Sequence, residues 1–151
     1  MIQIFIGDFG IKEFRIVMES EFEITGLGIM KFFLGIEVQQ SESGIFISHS
    51  KYASAVLKRF HMSNCKVFPT PIIIGLKLRK DDDGSIVDPT MFKRLVGSLM
   101  YLDATRSNIM YGVSLISIFM ESPKYSHWKA RKIILRYVSG TKDLGIMNST
   151  S

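Results

Sequence analysis

The chain has 151 residues, of which 46% are hydrophobic and 22% are charged. This composition excludes a disordered tail and suits one domain or two small subdomains. The single cysteine, Cys65, excludes an intramolecular disulfide. The net charge of +5 is unevenly distributed: residues 1–50 hold three bases and seven acids, and residues 51–151 hold 16 bases and seven acids. A basic C-terminal part suits binding to a nucleic-acid backbone, although a solvated basic surface has the same composition.

The first thirty residues predict a strand and a helix. Residues 2–6 are apolar and fit a short strand, and residues 12–24 carry an apolar stripe at helical spacing that Gly26 and Gly28 end. The N-terminus lacks the features of a secretion signal, and no apolar run approaches the roughly 18 residues of a membrane span. We therefore expect an intracellular protein, in the cytoplasm or nucleus, without membrane contact.

Residues 31–52 predict a β-hairpin followed by a helix. Residues 32–38 and 44–48 are apolar and rich in β-branched side chains, and the polar residues 39–44 between them predict a turn. Residues 50–62 then change to helical periodicity, with one apolar face formed by Tyr52, Ala53, Val56, Leu57 and Phe60. Residues 1–64 are therefore expected to be α+β.

Residues 65–87 predict a connector, because they contain prolines, glycines and the acidic run 81–83. These acids lack the alternating spacing and closing glutamate of a calcium-binding loop, so a solvated turn is expected. The three histidines of the chain are scattered. No metal or other cofactor is therefore expected.

Residues 88–140 predict three amphipathic helices with short connections, which is typical of a small helical bundle. Asp88 and Pro89 suit a capped N-terminus, and Ser107 is expected to cap the second helix. Ser122 and Pro123 end the second helix, and the third covers about residues 125–138. The predicted buried stripes consist of Phe92, Leu95, Val96, Leu99 and Met100; of Ile109, Met110, Val113, Ile116 and Met120; and of Ala130, Ile133, Ile134, Tyr137 and Val138.

The third predicted helix carries the strongest candidate for a binding surface. Lys129, Lys132 and Arg136 follow i, i+3, i+7 spacing, and Lys124 and Arg131 lie nearby in the sequence. Such a row can follow a line of phosphates, or it can simply be a solvated helix face. The neighbouring aromatic pair, His127 and Trp128, can either stack on a base or belong to the core.

Several blocks occur in an order that resembles the reverse transcriptase of copia-type LTR retrotransposons. They are KFFLGIEVQQSESGIFISHSKY (31–52), LKRFHMSNCK (57–66), PTPI (69–72), LVGSLMYLDATRSNIMYGVSLIS (95–117), FMESP (119–123) and HWKARKIILRYVSGT (127–141). Where the family usually has Thr-Arg-Pro-Asp, this chain has Thr105-Arg106-Ser107-Asn108. The resemblance implies a partial palm at 1–64, a connector at 65–87, a thumb-like three-helix bundle at 88–140 and a tail at 141–151. The hairpin then corresponds to the primer grip, with Gly35, Gln39 and Gln40 as candidate backbone contacts.

The resemblance also implies a family of RNA-directed DNA polymerases, but the expectation for this chain is a non-catalytic remnant. The adjacent catalytic aspartates of the family precede the matched region, and Asp8 matches no catalytic position. Expected partners are template–primer nucleic acid, bound weakly, and a protein or second copy at an exposed palm edge. The alternative is a secreted RxLR-type effector acting in the cytoplasm or nucleus of a host cell, because similar short chains occur in that class. Neither a signal peptide nor the Arg-x-Leu-Arg motif is found.

Overall fold

A computed structural model describes residues 31–82 and 84–149 of the chain. The strand expected at residues 2–6 and the helix expected at residues 12–24 lie outside the described residues, as do Asp8 and Asp83. The described part combines an antiparallel sheet with a group of helices. The expected α+β class is confirmed.

The sheet has four strands in the order β1-β2-β3-β4, and each neighbouring pair is antiparallel. The strands are β1 (Phe32–Phe33), β2 (Ile36–Ser41), β3 (Gly44–Ser48) and β4 (Gly145–Ser149). The prediction of one continuous strand over residues 32–38 was wrong, because a turn at Leu34 and Gly35 divides it. Their φ angles are 48° and 82°, the combination that a two-residue hairpin turn requires.

The turn between β2 and β3 is shorter than the sequence indicated. Gln39 and Gln40 were assigned to it, but they pair within the sheet with Phe46 and Ile45. Only residues 42 and 43 lie between the paired residues Ser41 and Gly44. The second hairpin of the sheet is therefore also a tight one.

The strand β4 was not predicted, because it lies in the segment expected to be a tail. It pairs with β3 along its whole length, from Gly145 opposite Ser48 to Ser149 opposite Gly44. A Cβ at Gly145 would overlap the carbonyl oxygen of Ile47 and approach the Phe46 ring. Glycine thus permits the close approach of the two backbones. One edge of the predicted hairpin is covered by the chain itself, and self-association through the other edge stays a prediction.

Four helices are described: α1 (Ser50–Arg59), α2 (Pro89–Asp103), α3 (Ser107–Ser117) and α4 (Tyr125–Gly140). The three helices expected within residues 88–140 are confirmed. The first helix ends three residues earlier than expected, and His61 beyond it has a φ angle of 57°. No helix in the described part of the chain combines the length and hydrophobicity needed to cross a bilayer.

One hydrophobic core joins all four helices. It is formed by Ala53, Val56, Leu57 and Phe60 together with Phe92, Leu95, Val96, Leu99, Leu102, Ile109, Val113, Ile116, Ala130, Ile134, Leu135 and Val138. The helix that the sequence grouped with the hairpin thus shares its core with the later helices. The division into palm remnant, connector, thumb and tail stays a prediction. Met100 and Met110 were expected in the core but are 45% and 53% exposed.

The helix termini confirm one predicted cap and correct another. Asp88 accepts a hydrogen bond of 2.9 Å from the backbone N–H of Thr90 at the start of α2. Ser107 was expected to cap α3, but Arg106 occupies the cap position and makes no side-chain cap bond. The Arg106 side chain is instead directed into the interior, where it is 2% exposed.

Candidate nucleic-acid interface

Two lysines of α4 lie on its exposed face. Lys129 and Lys132 are three positions apart on the helix (i, i+3), so their side chains project from neighbouring points of its surface. The Lys129 ammonium lies 4.9 Å from the centre of the Tyr125 ring, one turn earlier. The two charges are therefore available to a polyanion at the surface.

Arg136, the third member of the predicted row, and the nearby Lys124 have structural contacts. The Arg136 Nε donates a hydrogen bond of 2.5 Å to the carbonyl oxygen of Lys66, and its guanidinium lies 5.2 Å from the centre of the Phe68 ring. Lys124 precedes α4, and its backbone N–H donates to His127 Nδ1 at 2.8 Å. Both side chains are half-buried, and the arginine holds residues 66–68 against the helix.

Arg131 lies in the interior and not beside the two lysines. It is 3% exposed, and its guanidinium carbon lies 2.9 Å from the centre of the Trp128 ring and 5.9 Å from that of Phe60. Its Nε and Nη1 have no hydrogen-bond partner. Burial without a compensating charge lowers the pKa of Arg131 to about 9. Trp128 packs against the core, as the second of the two sequence-based interpretations supposed.

His127 has a structural role at the start of α4. It is fully buried, and its ring stacks on Phe119 with 3.9 Å between ring centres. Because Nδ1 accepts the Lys124 N–H, the proton lies on Nε2, which donates to the Arg79 carbonyl oxygen at 2.9 Å. The ring thereby attaches the connector to α4.

Asp82 completes this attachment and corrects the expectation of a purely solvated acidic turn. It accepts hydrogen bonds from Ser126 Oγ at 2.8 Å and from the Arg79 backbone N–H at 3.2 Å. The bond from Ser126 is the main reason that the pKa of Asp82 is lowered, followed by the Arg79 N–H. Since Ser126 donates to the carboxylate and not to His127, the three side chains do not form a nucleophilic triad.

The candidate residues of the hairpin are exposed but separate from one another. Gly35 occupies the turn between β1 and β2, where a Cβ would lie 3.5 Å from Tyr101 Oη. Gln39 and Gln40 are exposed on β2 and, as successive strand residues, face opposite sides of the sheet. Strand β2 packs against helix α1.

A buried polar cluster joins the sheet to the helices, and the sequence did not reveal it. His49 Nδ1 lies 2.7 Å from Thr105 Oγ1, and its ring centre lies 4.8 Å from that of Tyr101. Next in sequence, Arg106 donates from Nη1 to the Thr141 carbonyl oxygen at 2.6 Å and from Nη2 to the carbonyl oxygen of Lys142. In the sequence, the only indication of this cluster was the pair Thr105-Arg106 within the block 95–117 that resembles the family.

We expect acidification to destabilise the protein through His49. Burial, and secondarily the Arg106 charge, lowers the pKa of His49 below its ordinary value, while Glu37 opposes this shift. The unfolded chain therefore binds the proton first, and the stability is present above about pH 6.5 and falls below it, by at most about 1.4 kcal/mol per pH unit. Urea unfolding at pH 7.5 and 5.5 measures the loss. His49→Asn retains a polar atom near Nδ1 and should reduce the loss; an equal loss in both proteins would contradict the assignment.

No group of three or more His, Cys, Asp or Glu side chains suited to holding a metal ion occurs within residues 31–82 and 84–149. The described acids are therefore not arranged as a metal-binding cluster.

Comparisons with known proteins identify related sequences. The family described as "Reverse transcriptase (RNA-dependent DNA polymerase)" matches residues 3–74. The chain is 38% identical over 129 residues to the Retrovirus-related Pol polyprotein from transposon RE2 of Arabidopsis thaliana, covering 85% of this chain and 9% of that protein. It is 37% identical over 125 residues to an uncharacterized mitochondrial protein of the same plant, covering 82% of this chain and 51% of that protein.

A shorter similarity involves a protein of another kind. Over 52 residues the chain is 38% identical to Secreted RxLR effector protein 161 of Plasmopara viticola, covering 34% of this chain and 37% of that protein. No solved structure gives a significant match. The chain thus spans about half or less of the length of each of these relatives.

Proposed function

Because the chain belongs to the reverse transcriptase family of copia-type retrotransposons, we propose that this retroelement-derived segment binds nucleic-acid backbone without catalysing polymerisation by itself. The observation that carries the proposal is the exposed pair Lys129 and Lys132 on α4. The proposed ligand is a template–primer duplex, held weakly.

The chemistry of the pair suits backbone contact more than base recognition. Lysine ammonium groups are compact, hydrated charges on flexible stems, so they neutralise phosphates without reading base edges. Binding of this kind releases condensed counterions, and its strength decreases steeply with salt. The proposal therefore specifies sequence-independent affinity.

The hairpin is proposed as a second, smaller contact. The exposed side-chain amides of Gln39 and Gln40 can donate hydrogen bonds to phosphate oxygens, and the turn at Gly35 lacks side-chain bulk. Arg131 is too deeply buried to contribute directly, and the Arg136 side chain already donates to the Lys66 carbonyl oxygen. Lys124, half-buried just before α4, stays a minor candidate contact. The lysine pair is therefore the main element of the proposed interface.

The absence of catalysis is part of the proposal and has a direct test. Nucleotide addition through two metal ions needs several converging carboxylates, and residues 31–82 and 84–149 contain no such cluster. Primer extension on a primed template with Mg²⁺ should show no incorporation by this chain alone. Template-dependent extension would overturn the proposal.

We expect the double variant Lys129→Glu, Lys132→Glu to weaken binding to a fluorescein-labelled RNA–DNA hybrid. Each lost phosphate contact reduces the slope of log K against log salt by roughly 0.7–0.9, so the loss of two contacts should reduce the slope by about 1.4–1.8. Fluorescence anisotropy titrations at NaCl concentrations from about 25 to 200 mM measure this slope. Lys77→Glu, Lys80→Glu makes the same charge change at exposed residues of the connector. Equal slopes for the two variants, or no binding of the wild type at low salt, would rule out the interface.

A second candidate function follows from the 52-residue similarity to a secreted RxLR effector. In that case the chain would act through a protein partner in a host cell, and the lysine pair would be only a solvated face. Detection of the protein in secreted fractions with a cleaved N-terminus would favour this function. Retention with the producing cells would favour the first.

A further inference from the structure

An open cavity of about 320 Å³ lies where the end of α1 meets the start of α2. Two arginines from different helices line it, Arg59 of α1 and Arg94 of α2. The remaining lining consists of Phe60, Asp88, Thr90 and Met91. Two arginines therefore line one concave surface, and its lining includes neither Lys129 nor Lys132.

Within residues 31–82 and 84–149, no acidic side chain forms an ion pair with either arginine of this cavity. Neither Arg59 nor Arg94 forms an ion pair or a side-chain hydrogen bond with any residue that the structure describes. The one acid in the lining, Asp88, has an oxygen occupied by the Thr90 N–H at 2.9 Å. Two cations against one anion leave a net positive cavity. Arginine is well suited to hold a planar or tetrahedral oxyanion, since its fork of N–H groups binds two oxygens at once.

A third arginine lies behind the cavity wall. The guanidinium carbon of Arg131 is 5.9 Å from the centre of the Phe60 ring, and Phe60 lines the cavity. Arg131 is buried, and two of its nitrogens have no partner. An unpaired buried charge is costly, and an anion on the other side of one aromatic ring reduces that cost through a medium of low dielectric constant.

We propose that the cavity between α1 and α2 is a phosphoryl-binding site, in which Arg59 and Arg94 hold the oxygens and Arg131 adds attraction from behind Phe60. This inference extends the proposed function, since the backbone of a nucleic acid is one source of the phosphoryl group. Free inorganic phosphate or pyrophosphate is the other source.

The site has a built-in reporter, because Trp128 is the only tryptophan of the chain and contacts Arg131. Titration of the full chain with sodium pyrophosphate, at ionic strength held constant with NaCl, should give a saturable change in tryptophan fluorescence. Arg59→Gln, Arg94→Gln should weaken the apparent affinity about tenfold or more. The control Lys77→Gln, Lys80→Gln removes the same charge elsewhere and should titrate like the wild type. No saturable change at constant ionic strength, or equal titrations of the two double variants, would overturn the site.

A second titration separates this inference from the proposed function. Lys129→Glu, Lys132→Glu should retain the pyrophosphate response even if it no longer binds the RNA–DNA hybrid; loss of that response would overturn the cavity as a distinct site. If Arg59→Gln, Arg94→Gln weakens the binding of both pyrophosphate and the RNA–DNA hybrid, the site is supported and nucleic acid is the source of the phosphoryl group. If this variant weakens the binding of pyrophosphate alone, the site is supported and free phosphate or pyrophosphate is the source. Urea midpoints matching that of the wild type would show that the arginine double variant and the Lys129→Glu, Lys132→Glu variant remain folded.

Discussion

Replacement of Arg106 by methionine is expected to lower the free energy of unfolding by about 2–3 kcal/mol. The side chain is 2% exposed and donates to the carbonyl oxygens of Thr141 and Lys142, just after α4. Thr141 also accepts from the Leu144 N–H, so the Lys142 oxygen is the group that loses its described partner. Removing the desolvation that lowers the pKa of Arg106 opposes this loss only in part. Methionine keeps most of the volume, so the effect reports hydrogen bonding more than packing.

Urea unfolding of Arg106→Met against Arg94→Met provides the measurement. Arg94 is an exposed arginine on α2, and its replacement should change the stability by less than about 0.5 kcal/mol in phosphate-free buffer. Because Lys142 lies just before β4, amide exchange in β4 should also accelerate in the Arg106 variant. Equal midpoints for the two variants, with β4 still protected, would show that Arg106 does not hold the end of α4.

Elements governed by local sequence could be predicted. The three later helices follow from periodicity, and the start of α2 follows from the cap formed by Asp88 with the proline after it. The turn at Leu34 could not be predicted in the same way, because a non-glycine residue with positive φ is uncommon and has no strong sequence signal. β4 is a five-residue segment that owes its conformation to pairing with β3, about one hundred positions earlier.

The positions of the candidate side chains could also be predicted only where local sequence determines them. The spacing of Lys129 and Lys132 placed them correctly on one exposed face. Arg131 was grouped with them because of its charge, although its helical position falls between the buried residues His127 and Leu135. Its burial depends on two aromatic rings, one of which, that of Phe60, directly follows α1. Such long-range packing is not encoded in the helical period.

Replacement of Arg131 by methionine is expected to have the opposite sign to that of Arg106 and to raise the free energy of unfolding by about 1–3 kcal/mol. Both arginines are buried, but Arg106 donates to backbone oxygens, whereas Nε and Nη1 of Arg131 have no partner. The variant loses a cation–π contact with Trp128 of about 2 kcal/mol when desolvated, and a sulfur–aromatic contact replaces part of it. The free-energy cost of the unpaired buried charge is larger than the lost cation–π contact, and this cost is absent from the methionine variant.

The pH dependence of this gain identifies its cause. Burial lowers the pKa of Arg131 to about 9, so above that pH the folded protein releases a proton that the unfolded chain retains. The wild type therefore gains stability relative to the variant as the pH rises through 9, and the difference between their urea midpoints should narrow from pH 7 to pH 10. Taking the difference cancels the titration of lysines and tyrosines common to both proteins. If Arg131→Met were less stable than the wild type at pH 7, the guanidinium would be stabilising the fold. A more stable variant whose gap stayed constant with pH would show that the gain does not come from the charge of Arg131. A more stable variant that also loses the pyrophosphate response would mean that the chain retains this charge for binding, at the expense of stability.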